Sequence, residues 1–300
     1  MGHFKSMSKK RKIQRKIIFF LLEIISALII VKVIKKNYKL NEDKLVYLTY
    51  NYLGKISKKV EQVNNEVIEN TTPIFKNERD PTVYIYNTHQ SEKYKYSKVN
   101  NYNLDYTVMF GSQILKDYLN EYNINAYVEE NLISKVLNEN NLVYKDSYVA
   151  SRILMENAKK SNPTLKYFID LHRDSSSYER TTCLINDDSY AKVLFVLGLE
   201  NPNYEKNKEM INALNNKIIS YNSCLSRGIM EKEGPYSNGV YNQDFDKNTI
   251  LIEVGGQYND IKQVDNTLKV LAKVLYEYIM EDSWQMIKKI HFLKYYHFYF

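Results

Sequence analysis

From residue 82 onward, short apolar runs alternate with amphipathic stretches, and this alternation constrains the chain's fold more than any other feature. "LKYFIDLH" (165–172) and "TILIEVGG" (249–256) are mostly apolar without a regular polar face, the pattern of strands buried on both sides. "TVYIYN" (82–87), "INAYVE" (124–129), "TTCLIN" and "AKVLFVLGL" read as further strands. Between them, residues 105–122 place Val108, Leu115 and Leu119 at helical spacing. Ser147 heads a helix that stops before "SNP" (161–163), because a proline disfavours helical geometry in the residue before it. Residues 203–222 are helical after Pro202, and a helix over 260–281 closes the segment. Strands alternating with helices predict an α/β fold, a mixed and mostly parallel sheet with helices on both faces. No internal repeat is present.

Ahead of this segment the chain changes character. Ile17–Ile34 is apolar apart from Glu23, Ser26 and Lys32, near the shortest length that spans a bilayer. A cleaved signal peptide would need a small-x-small site after the run, and none follows. A surface helix would need a polar face, and the run is apolar nearly all round. Residues 17–34 are therefore expected to form a single transmembrane anchor. The basic segment 1–16 should stay in the cytoplasm, which puts the remainder outside the cell membrane. Leu53, Ile56, Val60, Val63 and Val67 recur at intervals of three and four, so 35–80 reads as a helical stalk ending in a polar linker. Residues 81–282 form the expected catalytic domain, and 283–300 an aromatic tail.

The formal net charge of +7 suggests nucleic acid until it is located. Residues 1–36 hold ten Lys or Arg and one acid, which leaves 32 bases against 34 acids beyond residue 36. A near-neutral domain gives no case for nucleic-acid binding. Cys183 and Cys224 are too few for a disulfide framework; outside the membrane they could form a single bridge, but their spacing demands none and two buried thiols are expected.

Three strand ends carry polar residues that fit one chemistry. His89 and Glu92 stand in an H-x-x-E spacing just after strand 82–87. His172 follows strand 165–171, and Glu253 lies in the apolar strand 249–254. Ligands of open α/β sheets gather beyond the carboxyl ends of the strands. Two His and a carboxylate leave a fourth position open for water in catalytic zinc sites, and zinc lowers that water's pKa to about 7. His89, Glu92 and His172 would be the ligands, and Glu253 the carboxylate that moves the proton. Taken singly, an H-x-x-E is common and a strand-end His is more often structural. Other chemistries find less support. "CLSRG" (224–228) lacks the first glycine of a serine elbow, and nine glycines leave little room for a phosphate loop.

"YNTHQSEKY", "YFIDLHRDS", "NPNYEKN", "LSRGI", "NGVYNQD" and "LIEVGG", in that order over residues 80–280, resemble the stage II sporulation protein P family. The resemblance implies a zinc amidase/carboxypeptidase-like fold and an N-acetylmuramoyl-L-alanine amidase. Such an enzyme cuts peptidoglycan between the muramoyl group and the first alanine of the stem peptide. It also implies endopeptidase activity, a setting in forespore engulfment, and stage II sporulation proteins D and M as partners. By the same resemblance His89, Glu92 and His172 are zinc ligands and Glu253 is catalytic. Arg173 and Asp174 would support the ligands or touch substrate, with a structural ion pair from Arg173 to Asp174 or Asp170 as the plain alternative. Asn242 and Gln243, in the 238–244 loop, would bond glycan or peptide amides. The family shows His-Thr-His where this chain has Asn87-Thr88-His89, and strand alternation would point positions 87 and 89 the same way. A zinc carboxypeptidase and an inactive wall-binding scaffold are the rival readings.

Overall fold

The computed structural model describes residues 80–297, apart from Tyr96, Asn100, Asn101 and Asp105. The expected anchor (17–34) and the stalk (35–80, Asp80 excepted) lie outside the described residues. Among those described, no helix is long and apolar enough to cross a membrane.

A six-stranded sheet forms the centre. In chain order its strands are β1 (Val83–Tyr86), β4 (Ala126–Val128), β5 (Tyr167–Asp174), β8 (Val193–Gly198), β9 (Ser226–Lys232) and β10 (Thr249–Gly256). Their spatial order is β4-β1-β5-β10-β8-β9. The first four are mutually parallel, and β8 runs antiparallel to β10 with β9 parallel to it. The sheet is thus mixed and mostly parallel, as its buried strands predict.

Helices cover both faces because the central strands are apolar on both. On one face α3 (Ser147–Ser161) packs Met155 and Ala158 onto Tyr84 and Tyr86 of β1 and Phe168 of β5. On the other, α1 (Val108–Glu121) meets β5 and α6 (Ile261–His297), where Gly111 lies close to Leu171 and Leu268. α2 (Ile133–Glu139) joins α3 through Ile133, Val136, Leu137, Ala150 and Leu154. α5 (Tyr204–Tyr221) packs along β8, β9 and α6.

Several elements depart from expectation. The apolar run read as two strands contains a hairpin, β6 (Thr182–Ile185) and β7 (Asp188–Ala191), before β8. Its turn residues Asn186 and Asp187 both have positive φ, the geometry a two-residue hairpin turn needs. A second hairpin joins β2 (Ser97–Val99) to β3 (Tyr102–Leu104), and a short α4 (Tyr178–Thr181) precedes β6. The closing helix does not stop at 281 but runs on to His297, so most of the aromatic tail is helical. Cys183 and Cys224 are not free thiols. β6 lies against the 3-10 turn Ser223–Leu225, which brings the two Cα atoms to 5.8 Å in a disulfide.

Candidate metal centre

The chain leaves β1 through α1 toward β4 on one side, whereas it leaves β5 toward the strands on the other side. Adjacent parallel strands whose connections diverge open a crevice at their carboxyl ends. His89 follows β1 and His172 lies two residues before the end of β5, so both stand at this crevice.

Asp170 ends the β1 ladder. Its carboxylate, fully buried, accepts the Thr88 N–H at 2.9 Å and the Thr88 hydroxyl at 2.7 Å. The chain then turns over residues 88–91, closed by the Glu92 N–H on the His89 carbonyl at 3.0 Å. That turn corrects the strand-alternation reading of positions 87 and 89. Asn87 is buried toward α1, donating to the Leu171 carbonyl at 2.6 Å and accepting from Ser112 Oγ at 3.0 Å. His89 is delivered to the α3 side, stacked on Tyr144 and edge-on to Tyr148 and His172.

Glu92 lies between the two imidazoles. Its Oε1 is 3.6 Å from His89 Nδ1 and its Oε2 is 3.3 Å from His172 Nδ1. Donor atoms of His89, Glu92 and His172 all fall within 4.8 Å of one another, a set able to hold a metal ion. The Arg173 N–H also donates to Glu92 Oε2, at 3.0 Å. Burial works to raise the Glu92 pKa, but hydrogen bonds from His172, His89 and the Arg173 N–H hold the carboxyl far below its usual range. Burial likewise works to lower the His172 pKa, and the charges of Asp170 and Glu92 override it and raise it well above normal. His172 Nε2 lies 2.9 Å from Asp170 Oδ1 without an aligned hydrogen bond, and among the described residues no other group takes it. A buried carboxylate on the far nitrogen is the usual outer partner of a metal-ligating histidine. Sequence reasoning gave Asp170 no such role, though its place two residues before His172 puts both side chains on one face of β5.

Glu253 sits one strand over, in register with His172, and neighbouring partners in a sheet share a face. Its carboxylate makes no hydrogen bond among the described residues. Burial, reinforced by the charge of Asp174, pushes its pKa up to about 7. Asp174 pairs with Arg227 of β9, which reaches across the strand ends and was not singled out from sequence. Burial would raise the Asp174 pKa, but its bonds to Arg227 and Ser176 lower it. Arg173 makes neither expected ion pair; its guanidinium bonds the carbonyls of Lys93 and Asp174.

The 238–244 loop closes the α3 side of the crevice. Gly239 has φ of 69°, and a Cβ there would stand 2.3 Å from Glu200 Oε2, so the loop needs glycine at that point. Asn242 and Gln243, anticipated as substrate contacts, both make hydrogen bonds within the protein. Gln243 is fully buried and spends its amide on the Gly198 N–H and the Val196 carbonyl of β8. Asn242 donates to the Tyr148 carbonyl and to Ser151 Oγ, and the Ser151 hydroxyl lies in hydrogen-bond contact with Thr88 Oγ1 at 2.9 Å. Gln243 thus braces the loop on β8, while Asn242 also lines the open cleft beside Tyr148 and Arg152.

The family model described as Stage II sporulation protein P (SpoIIP) matches residues 23–276. The stage II sporulation protein P of Bacillus subtilis (strain 168) is 33% identical over 208 residues, 65% of this chain and 50% of that protein. The chain thus spans half the length of that relative. Among solved structures, an N-acetylmuramoyl-L-alanine amidase from Clostridium difficile 630 aligns at 14% identity over 67% of this chain and 96% of its own, with a TM-score of 0.40. A metallo-carboxypeptidase from Burkholderia cenocepacia aligns at 9% identity over 68% of this chain and 58% of its own, with a TM-score of 0.41. The family match spans the turn after β1, the end of β5 and β10, the three places that build the candidate metal centre, and this chain belongs to the stage II sporulation protein P family.

Proposed function

We propose that this protein is a zinc-dependent peptidoglycan hydrolase of the N-acetylmuramoyl-L-alanine amidase type, with a zinc amidase/carboxypeptidase-like catalytic domain over residues 81–282. The observation that carries the reading is the convergence of His89, Glu92 and His172, with Glu253 in register one strand away. Two imidazoles and a carboxylate are the donor set of catalytic zinc, and Asp170 behind His172 supplies the outer partner such sites use. Bound there, zinc would supply a water acidified to near neutrality and a Lewis acid for the scissile carbonyl.

The chain's own groups do the rest. Glu92, held by the Arg173 N–H, keeps the two histidines at a common point. Glu253 has no fixed partner among the described residues and faces the same side as His172, so it is free to take the water's proton and return it to the departing alanine nitrogen. Asp174 and Arg227 flank it as a pair.

Residues 17–34 would anchor the protein in the cell membrane as a single pass, with 1–16 cytoplasmic, 35–80 a stalk, and the catalytic domain extracytoplasmic. The Cys183–Cys224 bridge supports that side of the membrane, since disulfides persist in oxidising compartments. Septal wall remodelling in sporulation, with stage II sporulation proteins D and M as partners, rests on family membership. The scaffold reading drew on Asn87, and that residue is spent on Leu171 and Ser112, away from the cluster.

The test incubates the full-length chain in detergent with purified peptidoglycan, with and without chelator, and reads products by mass spectrometry. Stem peptides with a free N-terminal alanine, lost with chelator and in Glu253→Gln, are expected. Release of single amino acids would favour a carboxypeptidase, and intact glycopeptides in every sample would overturn the hydrolase reading.

A further inference from the structure

We propose that the open cleft between the start of α3 and the 238–244 loop is a subsite for the acidic stem peptide, in which Arg152 hydrogen-bonds a peptide carboxylate. The inference rests on the hydrolase reading above and adds which side of the substrate the cleft takes.

The cleft has a volume of about 420 Å³ and adjoins the metal centre through one side chain. Tyr148 forms part of its lining and also meets the His89 ring edge-on at 5.6 Å. Arg152 stands one helical turn further along α3, about 6 Å from Tyr148 at the rise of an α-helix. An extended peptide advances roughly 3.3–3.6 Å per residue, so a chain leaving the metal centre passes Arg152 within its first two or three residues.

The guanidinium is held with donors to spare. Nη1 bonds Asp244 at 2.9 Å, Nε bonds the exposed Glu156 at 3.2 Å, and Nη2 makes no hydrogen bond among the described residues. Its carbon lies 4.9 Å from the centroid of the Phe245 ring, which fixes the guanidinium further. A pre-positioned guanidinium with free N–H groups in an open cleft is a carboxylate anchor. Val149 and Val240 give the cleft apolar walls for methyl and methylene groups. Asp244 and Glu156 already balance the Arg152 charge, and Nη2 is the donor they leave for a peptide carboxylate, a group that a neutral disaccharide lacks. Asp244 competes for the same guanidinium, so it tempers the interaction without supplying it.

The test compares two muramoyl tripeptides that differ only in whether the carboxylates of the second and third residues are free or amidated. Binding is measured by calorimetry to the full-length chain carrying Glu253→Gln, which leaves the ligand uncut, and turnover is followed in parallel without that substitution. The free acid should bind roughly tenfold tighter or more, as expected for a charge-assisted hydrogen bond. Arg152→Gln should erase the difference, and Asp244→Asn should keep or enlarge it. A purely structural Arg152–Asp244 brace predicts that both substitutions alter stability and neither alters discrimination. Should Arg152→Gln not fold, Arg152→Lys retains the charge without the fork and should shrink the preference. Equal binding of the two peptides, or an unchanged preference in Arg152→Gln, overturns the subsite. Discrimination without turnover would leave the subsite standing and overturn the hydrolase reading instead.

Discussion

Asn87, where the family resemblance would place a histidine, is held in the interior away from the His89, Glu92 and His172 cluster. Both polar ends of its side chain are engaged in the interior, on the Leu171 carbonyl and the Ser112 hydroxyl. Asn87→Ala should therefore act on stability, costing about 2 kcal/mol for the lost bonds of a buried amide. Zinc stoichiometry, read by elemental analysis, should not change. Glu253 has the opposite character, a carboxylate that the fold pays to keep. Its pKa is pushed up to about 7, above the ordinary 4.5, so the folded state binds more protons than the unfolded state between those values. Stability in chelator should fall as pH rises from about 4.5 to 7 and stay low above it. Glu253→Gln removes that dependence. Its melting temperature relative to the parent should climb between pH 5 and pH 8, by the equivalent of ~1–3 kcal/mol. A constant difference across that range would mean that Glu253 does not titrate there.

Among the elements, the disulfide has the largest single expected effect. Cys183 and Cys224 are 41 residues apart, and closing a loop of that length restricts the unfolded chain by about 3–4 kcal/mol in the entropic account. Reductant should lower the melting temperature of the parent, and the double variant Cys183→Ala/Cys224→Ala should melt at that lower value with or without reductant. Cys224 stands three residues before Arg227, so the bridge also tethers the start of β9. Elements proved legible where burial dominated the sequence. β5 and β10 carry apolar runs that admit little else, and α1 and α5 repeat at helical spacing. β9 was missed because it is half-buried along nearly its whole length and "SRGIMEK" has neither an apolar run nor alternation. α2 is only seven residues long, too short for its period to register. The disulfide was illegible for another reason, since contact between β6 and the 3-10 turn is a product of tertiary packing.

At the scale of the whole molecule, the three clustered residues come from two segments at least 80 positions apart, joined by the pairing of β1 with β5 and by side-chain bonds such as Thr88 to Asp170. His89, Glu92 and His172 could be named from sequence because each sits just past or at the end of a readable strand. Asp170 and Arg227 gained their places only when the strands were laid side by side. The same geometry makes metal binding a property of the folded state, because the unfolded chain does not hold the two segments together. A ligand that binds only the folded state stabilises it by about 2.7 kcal/mol at a hundred times its dissociation constant. For a domain of this size that is a rise in melting temperature of roughly 5–10 °C. Adding zinc to the chelator-treated protein should produce such a rise, increasing with zinc concentration. His89→Ala and His172→Ala should abolish it, whereas Glu253→Gln should retain it even though turnover is lost. A rise that survives in His172→Ala would place the metal elsewhere, and a rise lost in Glu253→Gln would make Glu253 a ligand instead of the proton carrier.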